Sequence, residues 1–393
     1  MAKTIYLDNA ATTRTRAEVA EAMFPYFTQY YGNPSSVYEF SAPVREAMMR
    51  ARETIAKSIH ARMDEIYFTG GGSEADNWAL TGIAESYGKD GGHIITTKVE
   101  HHAVLHTCKY LEERGFAVTY LDVDENGFVR VKDVEEAIRP DTILISVMAA
   151  NNEVGTIEPI EEIGALARSR GILFHTDAVQ AFAHIPIDVQ AQNIDLLSAS
   201  AHKLGGPKGV GFLYIRRGVK LRSFVHGGAQ ERGRRAGTEN VPGIVGFGKA
   251  VELAMEELSQ NMEREGRLRD HLIERVLTEV PYARLTGSSK MRLPGSASFV
   301  FQFLEGQILV IRLDMEGICA SSGSACTSGS PDPSHVLLAM GLPREAARGS
   351  LRLTLGHDTT MEDVDRAADC IREIAKELRG QSVLYEKFLE SRN

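Results

Sequence analysis

Short apolar runs and longer segments with apolar residues three and four positions apart alternate along much of this chain. The first pattern is typical of buried strands and the second of amphipathic helices. Between 92 and 213 the two follow one another in turn, which favours a mostly parallel sheet covered by helices. The predicted strands are 66–69, 93–97, 117–121, 142–148, 171–175, 194–199 and 209–215. The predicted helices are 17–30, 43–59, one that starts at 73, 103–114, 131–138 and 160–170.

A second unit follows this α/β pattern. Apolar residues at helical spacing run from Val251 to Val276, with Gly266 as a possible break. We therefore predict a large domain over 13–257 and a smaller α+β domain formed by 1–12 and 258–393. Its predicted strands are 298–303, 317–321 and 350–355, and its predicted helices are 306–315, 334–340 and 361–379.

Polar residues stand just past the predicted strands: His101, Asn152, Asp177, Gln180 and Lys203. In an open α/β sheet, ligands bind outside the carboxyl ends of the strands. Any one of these residues could be a satisfied buried polar group, and the lysine alone could be a solvated residue of a glycine turn. Their occurrence at successive strand ends favours a site, with Lys203 as an amine suited to Schiff-base chemistry.

Three glycines, 70–72, precede a predicted helix that starts at Ser73. Glycines let backbone N–H groups approach a ligand, and a helix N-terminus attracts anions. Ser73 with Asp76 three residues later is a helix-capping pattern. The stretch lacks the Gly-Lys-Ser/Thr of a P-loop and the dinucleotide fingerprint, and a plain glycine turn is the alternative.

A glycine- and arginine-rich segment, 227–240, has little core-forming character. It is either a solvated basic loop or a segment that is ordered against a partner subunit.

The four cysteines, Cys108, Cys319, Cys326 and Cys370, are too few and too scattered for a disulfide framework. Cys326 lies in a serine- and glycine-rich loop without apolar neighbours, which predicts an exposed reactive thiol. Cys108 and Cys370 lie in helical patterns and are predicted core residues.

The composition excludes several classes of function. A formal net charge of -9 over 393 residues argues against a nucleic-acid partner. No apolar run is long enough for a membrane span, and the first residues lack the apolar core of a signal peptide, so we expect a cytoplasmic protein. No metal site is predicted, because His102 and His106 lack the HExxH arrangement and the Cys319 to Cys326 spacing matches no common metal motif.

Several motifs occur together in a characteristic order, and with them the chain resembles the cysteine desulfurases of the NifS/IscS type. These are pyridoxal-phosphate enzymes of fold type I, which is aspartate aminotransferase-like. The motifs are YGNPSS at 31–36, EHHAV at 100–104, MAANNEVGT at 148–156, HTDAVQ at 175–180, SASAHKLGGPKG at 198–209, GRRAGTEN at 233–240 and SSGSACTS at 321–328.

The resemblance implies that Lys203 forms the Schiff base with pyridoxal 5'-phosphate and that Lys203, His101 and Cys326 are catalytic. Asn152 and Arg352 are implied to bind the substrate carboxylate. The cofactor-binding residues that it implies are Gly72, Ser73, His101, Asn152, Asp177, Gln180, Ser200, His202, Lys203 and Thr238, the last from the other subunit of a homodimer.

The implied reaction converts L-cysteine to L-alanine and leaves a persulfide on Cys326 as a sulfur source for iron-sulfur cluster assembly. The implied protein partner is an iron-sulfur scaffold or another sulfur acceptor. Alternatives are a selenocysteine lyase, an aminotransferase of the same fold and a non-catalytic assembly scaffold. The chain departs from many relatives at Tyr38, where they have a histidine, and at Ser73, where they have a threonine.

Overall fold

The computed structural model of the protein describes residues 4–88, 91–323 and 332–391. Its strands are β1 Ile5–Tyr6, β2 Ile66–Thr69, β3 His93–Thr97, β4 Ala117–Leu121, β5 Thr142–Ser146, β6 Leu173–Asp177, β7 Leu196–Ser200, β8 Gly211–Ile215, β9 Ala283–Leu285, β10 Ser296–Phe301, β11 Ile318–Cys319 and β12 Ser350–Thr354. Its helices are α1 Ala17–Met23, α2 Pro25–Thr28, α3 Ala42–Ser58, α4 Gly72–Tyr87, α5 His102–Glu112, α6 Val131–Ala137, α7 Ile160–Arg170, α8 Gln230–Gly233, α9 Val241–Glu279, α10 Gly306–Met315, α11 His335–Ala339, α12 Arg344–Arg348, α13 Met361–Gly380 and α14 Val383–Glu390.

A large, mostly parallel sheet dominates the first part of the chain, as the alternating pattern predicted. Within the described residues it has seven strands, in the order β2-β8-β7-β6-β5-β3-β4. β8 is antiparallel to β2 and β7, and the other pairs are parallel. The carboxyl ends of β3, β5, β6 and β7 therefore meet at one edge, where parallel sheets bind ligands.

Helices cover both faces of this sheet. Successive side chains of a strand point to opposite faces, so each buried strand contributes to two cores. One core contains Phe68, Ile95, Ile145, Phe174, Leu197 and Phe212. The other contains Tyr67, Ile94, Leu144, Leu196 and Leu213, with Trp78 of α4 packed on them.

A separate, smaller set of strands lies in the C-terminal part. β12, β10 and β9 form an antiparallel sheet, and β1 pairs in parallel with β11. Leu7 belongs to the same hydrophobic core as Phe299, Leu351 and Ile371. The N-terminal strand therefore packs with the C-terminal third of the chain; the division into two domains stays a prediction.

Helix α9 shows that Gly266 is not a break. The helix runs without interruption through 39 residues, capped at its start by the Asn240 side chain, which accepts a hydrogen bond from Gly243 N at 3.2 Å. One glycine costs a helix about 1 kcal/mol relative to alanine. Burial offsets that cost, because Phe247 packs in the core of the large sheet and Leu272 in the smaller core.

The helix predicted over 17–30 is interrupted near Pro25. It forms as α1, which ends at Met23, and the short α2, which begins at Pro25. Proline lacks a backbone N–H and is favoured in a first helical turn, so it starts a new helix here.

Cys108 and Cys370 are buried, as predicted. Among the described residues, no helix combines the length and the apolar character that crossing a membrane requires.

Candidate active site

Lys203 lies just past β7, in a 3-10 helix over Ala201–Lys203. Its ammonium donates hydrogen bonds to the main-chain carbonyls of Ala10 and Ala11, the latter at 2.9 Å. Its own carbonyl accepts a hydrogen bond from Nε2 of His184 at 2.9 Å. The side chain is thus half-buried and held at the strand end, which contradicts a solvated lysine of a glycine turn.

Gln180 shares a partner with that lysine. Its Nε2 donates to the carbonyl of Ala10 at 3.0 Å. The N-terminal segment after β1 therefore brings acceptors to two predicted site residues. No pattern in the sequence marked Ala10, because it acts through its main chain.

Asp177 ends β6 and faces His101, which caps α5. The donor or acceptor atoms of Asp76, His101 and Asp177 all lie within 4.8 Å of one another. Asp177 also accepts a hydrogen bond from Val179 N at 2.9 Å. The structure therefore brings two predicted residues together and adds Asp76, a residue from α4 that sequence reasoning treated only as part of a cap. These donor types would also suit a metal ion, which the sequence did not predict.

Burial and mutual charge decide which of the two carboxyl groups is ionised. Burial, followed by the negative charge of Asp177, raises the pKa of Asp76 well above its usual range. Burial also raises the pKa of Asp177, but the charge that His101 carries when protonated, the hydrogen bond from Val179 N and the positive charge of Lys203 act in the opposite direction. We therefore assign the proton to Asp76 and the negative charge to Asp177. Burial lowers the pKa of His101, which favours its neutral form.

A buried chain of hydrogen bonds through His175 lies next to Asp76. His175 contacts Ser146 Oγ through Nδ1 at 2.8 Å and Ser198 Oγ through Nε2 at 3.0 Å. Burial lowers the pKa of His175 to about 3, so its ring is neutral. His175 Nε2 also lies 3.7 Å from Asp76 Oδ1. The neutral ring and its two serine partners therefore lie beside the carboxyl group of Asp76.

The glycines between β2 and α4 form a concave cradle. A Cβ atom added to Gly72 would lie 2.5 Å from Val179 Cγ2, so only glycine fits there. The cradle is part of a cavity of about 450 Å³ that includes Ser73, Ser200 and His202. Burial lowers the pKa of His202 to about 4, so the imidazole that lines the cavity is neutral. Backbone N–H groups at the start of a 16-residue helix make this cavity suitable for a phosphate.

The capping pattern predicted for Ser73 and Asp76 is wrong. α4 begins one residue earlier, at Gly72, and its N-cap is Gly71, whose φ of 152° suits glycine. Ser73 is instead exposed and is one of the residues that line the cavity.

Arg352 of β12 lies at the other side of the site, beside Asn152. Its Nη1 donates to the main-chain carbonyl of Asn152 at 3.0 Å, and its Nη2 donates to Asp8 Oδ1 at 2.9 Å. The side chain is 4 % exposed, and its Nε has no hydrogen-bond partner among the described residues. A buried guanidinium with an unused donor is suited to a carboxylate ligand. Sequence reasoning missed Asp8. This residue follows β1, so it lies just past a strand like the site residues that were predicted.

Thr238 is exposed and is not among the residues that line the cradle in this chain. Two ion pairs hold its segment: Arg52 forks onto Glu231 at 2.6 and 2.8 Å, and Arg235 forks onto Glu74 at 2.8 and 3.0 Å. The second pair fixes the segment next to the cradle.

Cys326, predicted as the reactive thiol, lies outside the residues that the structure describes. On either side of it, Gly323 N donates to Ser350 Oγ at 3.2 Å and Ser334 Oγ donates to a carboxylate oxygen of Glu153.

Comparison with known proteins agrees with this site. Residues 5–367 match the family described as Aminotransferase class-V. The chain is 55% identical over 394 residues to a protein of Clostridium botulinum named "Cysteine desulfurase IscS", with 100% of this chain and 99% of the relative covered. It is 54% identical to a protein of the same name from Methanosarcina thermophila, with 98% and 95% covered.

Solved structures show the same fold. A structure titled "NIFS-LIKE PROTEIN" has a TM-score of 0.90 at 40% identity and covers 95% of this chain and 100% of its own. Another, titled "SspA in complex with cysteine", has a TM-score of 0.81 at 39% identity, with 90% and 99% covered.

Proposed function

This chain belongs to the class-V aminotransferase family, as a pyridoxal-phosphate-dependent cysteine desulfurase of the NifS/IscS type, and from that premise we propose which of its residues carry the reaction. The predicted family, fold type and cofactor are confirmed. The assignment of individual residues, the homodimer and the sulfur acceptor are proposals.

The residues of the strand edge fit the cofactor. When bound, pyridoxal phosphate supplies an aldehyde that condenses with amines and a protonated ring that accepts electron density from a substrate carbon. Gly72, Ser73, Ser200 and His202 surround a cradle suited to its phosphate. This fit is supported by Gly72, where an added Cβ atom would lie 2.5 Å from Val179 Cγ2, so the wall of the cradle packs closely around a glycine.

The remaining edge residues would hold the ring. The buried carboxylate of Asp177 suits the ring nitrogen, because an ionised partner keeps that nitrogen protonated. Gln180 would contact the ring hydroxyl, His101 would stack on the ring face, and Asn152 completes the cofactor site. The single observation that carries the proposal is the meeting of the Lys203 amine, the Asp177 carboxylate and the glycine cradle at one sheet edge.

Arg352 and Asn152 would bind the substrate through its carboxylate. The unpartnered Nε of Arg352 supports this role, since it is a buried donor that a carboxylate oxygen would satisfy. Lys203, with or without His101, would take the proton from the α-carbon.

Cys326 would receive the sulfur. Its thiolate forms a sulfur-sulfur bond with the substrate thiol sulfur as the carbon-sulfur bond of L-cysteine breaks. The β-carbon is reduced and takes a proton, which gives L-alanine, while the thiol of Cys326 is oxidised to a persulfide. L-cysteine and one thiol thus become L-alanine and one persulfide, with no other oxidant.

We further propose a cytoplasmic homodimer that passes this sulfur to an iron-sulfur scaffold or another acceptor protein. Thr238 would reach the phosphate of the other subunit. The exposure of Thr238 and the ion pair of Arg235 with Glu74 beside the cradle support this arrangement.

Thr238→Ala should weaken retention of the cofactor about tenfold, since a hydrogen bond to a charged group is worth about 1.5 kcal/mol or more. Dialysis of the holoprotein with absorbance of the bound cofactor measures this change. Thr238→Ser, which keeps the hydroxyl, is the control and should retain the cofactor. If light scattering showed that the fully active protein is a monomer, the shared site would be contradicted.

A further inference from the structure

Glu153 lies between the two ends of the segment that carries Cys326. Its Oε2 accepts a hydrogen bond from Ser334 Oγ, on the C-terminal side of that segment. On the N-terminal side, a Cβ atom added to Gly323 would lie 2.9 Å from the same oxygen and 3.1 Å from Ser334 Cβ. Gly323 and Ser334 thus pack against one carboxylate oxygen, which is buried: Glu153 is 3 % exposed.

The turn that carries Glu153 is rigid. Asn151 Oδ1 accepts hydrogen bonds from the main-chain N–H groups of Glu153 and Val154 at 2.8 and 3.0 Å. Asn151 Nδ2 donates to the carbonyl of Val99 at 2.9 Å. These hydrogen bonds therefore hold in place the backbone that carries the Glu153 carboxylate.

The same turn contacts the proposed carboxylate site. The carbonyl of Asn152 accepts from Arg352 Nη1 at 3.0 Å. Arg352, which pairs with Asp8, is a charged group that acts on Glu153, and the titratable groups His335 and Glu100 lie on the far side of Ser334. Burial raises the pKa of Glu153 to about 7, while the hydrogen bond from Ser334 and the charge of Arg352 oppose that shift. Both forms of Glu153 are therefore accessible near neutral pH.

A neighbouring contact ties the C-terminal side of the segment to a second strand end. Nε2 of His335 donates to the carbonyl of Glu100 at 3.0 Å. Glu100 precedes His101 in the chain. Ser334 and His335 therefore dock next to the two proposed site residues Asn152 and His101.

We propose that Glu153 is a positioning residue for sulfur transfer, which links the carboxylate site at Arg352 to both ends of the segment that carries Cys326. This inference rests on the proposed function. An ionised Glu153 holds Ser334 by a charge-assisted hydrogen bond, which is stronger than the bond to a neutral acid.

Glu153→Gln tests the link, because glutamine keeps the size and an acceptor oxygen but carries no charge and does not titrate. In a single turnover with L-cysteine, trapping of Cys326 with an alkylating reagent and mass analysis give the rate of persulfide formation. Above pH 7 we expect a rate about tenfold below that of the wild type. Cofactor content and the concentration of L-cysteine that gives half-saturation should change less than about twofold.

The pH dependence has a definite sign. Below pH 7 Glu153 is protonated in the wild type and resembles glutamine, so the ratio of the two rates should approach one. The wild-type rate divided by the Glu153→Gln rate should rise as pH rises through about 7. Ionisation of L-cysteine cancels in this ratio.

Two further variants separate positioning from stability. Ser334→Ala should slow transfer to a similar extent, and the double variant should be no slower than either single variant, since both remove one link. Glu158→Gln removes another buried carboxyl group, which accepts from Val129 N at 3.0 Å, and should keep the transfer rate of the folded holoprotein.

An unchanged rate in both Glu153→Gln and Ser334→Ala, or an equal loss in Glu158→Gln, would overturn the positioning role. Absence of a persulfide on Cys326 in the wild type is a different result. It would refute the proposed function, and the inference with it.

Discussion

Lys203→Ala should lower turnover of L-cysteine about a thousandfold or more, because it removes both the amine that anchors the cofactor and the proposed base. The absorbance of the covalently bound cofactor should be lost with it. Release of alanine and the visible spectrum of the purified protein measure the two effects.

Lys203→Arg is the matched variant for this prediction. Arginine keeps a positive charge that can contact the carbonyls of Ala10 and Ala11, but it cannot supply the amine. We expect the same loss as for alanine. Turnover above about a tenth of the wild-type rate in Lys203→Arg would mean that the charge, and not the amine, is what the site requires.

Cys326→Ala should abolish persulfide formation from L-cysteine while the cofactor spectrum stays unchanged. The proposed reaction needs a thiolate to accept the sulfur, and alanine offers no nucleophile. The residues that hold the cofactor in this proposal lie elsewhere, at the strand ends and the glycine cradle. Sulfide release and mass analysis of the protein measure the loss.

Cys319→Ala is the control, since Cys319 is a half-buried cysteine of β11 outside the proposed site. It should desulfurate L-cysteine at close to the wild-type rate. Undiminished desulfuration by Cys326→Ala would contradict the role of that thiol and favour another reaction of the same fold, such as an aminotransferase.

The strand ends were predictable from the sequence because buried parallel strands carry a strong apolar signal. The end of β6 placed Asp177, and the end of β7 placed Lys203, at the edge where the structure has them. The resemblance then supplied the cofactor, which a strand pattern alone does not identify. The family that it named is confirmed.

Other features depend on tertiary contacts that no local pattern encodes. Ser73 looks like a helix cap, yet Gly71, with its positive φ, is the N-cap and the helix starts earlier, at Gly72. Gly266 looks like a break, yet two hydrophobic cores stabilise a continuous helix through it. The sequence marked Asp76 only as part of a cap, because its proximity to Asp177 of β6 is created by the tertiary fold.

The central claim is that the sulfur of L-cysteine moves to Cys326, and one measurement tests it most directly. The wild-type holoprotein is mixed with L-cysteine that carries a heavy sulfur isotope. Mass spectrometry gives the mass of the peptide that contains Cys326, and the amount of alanine released is measured in the same sample. The account predicts one labelled sulfur atom on Cys326 for each alanine released in the first turnover. Alanine without label on Cys326, or label on Cys319 instead, would contradict it.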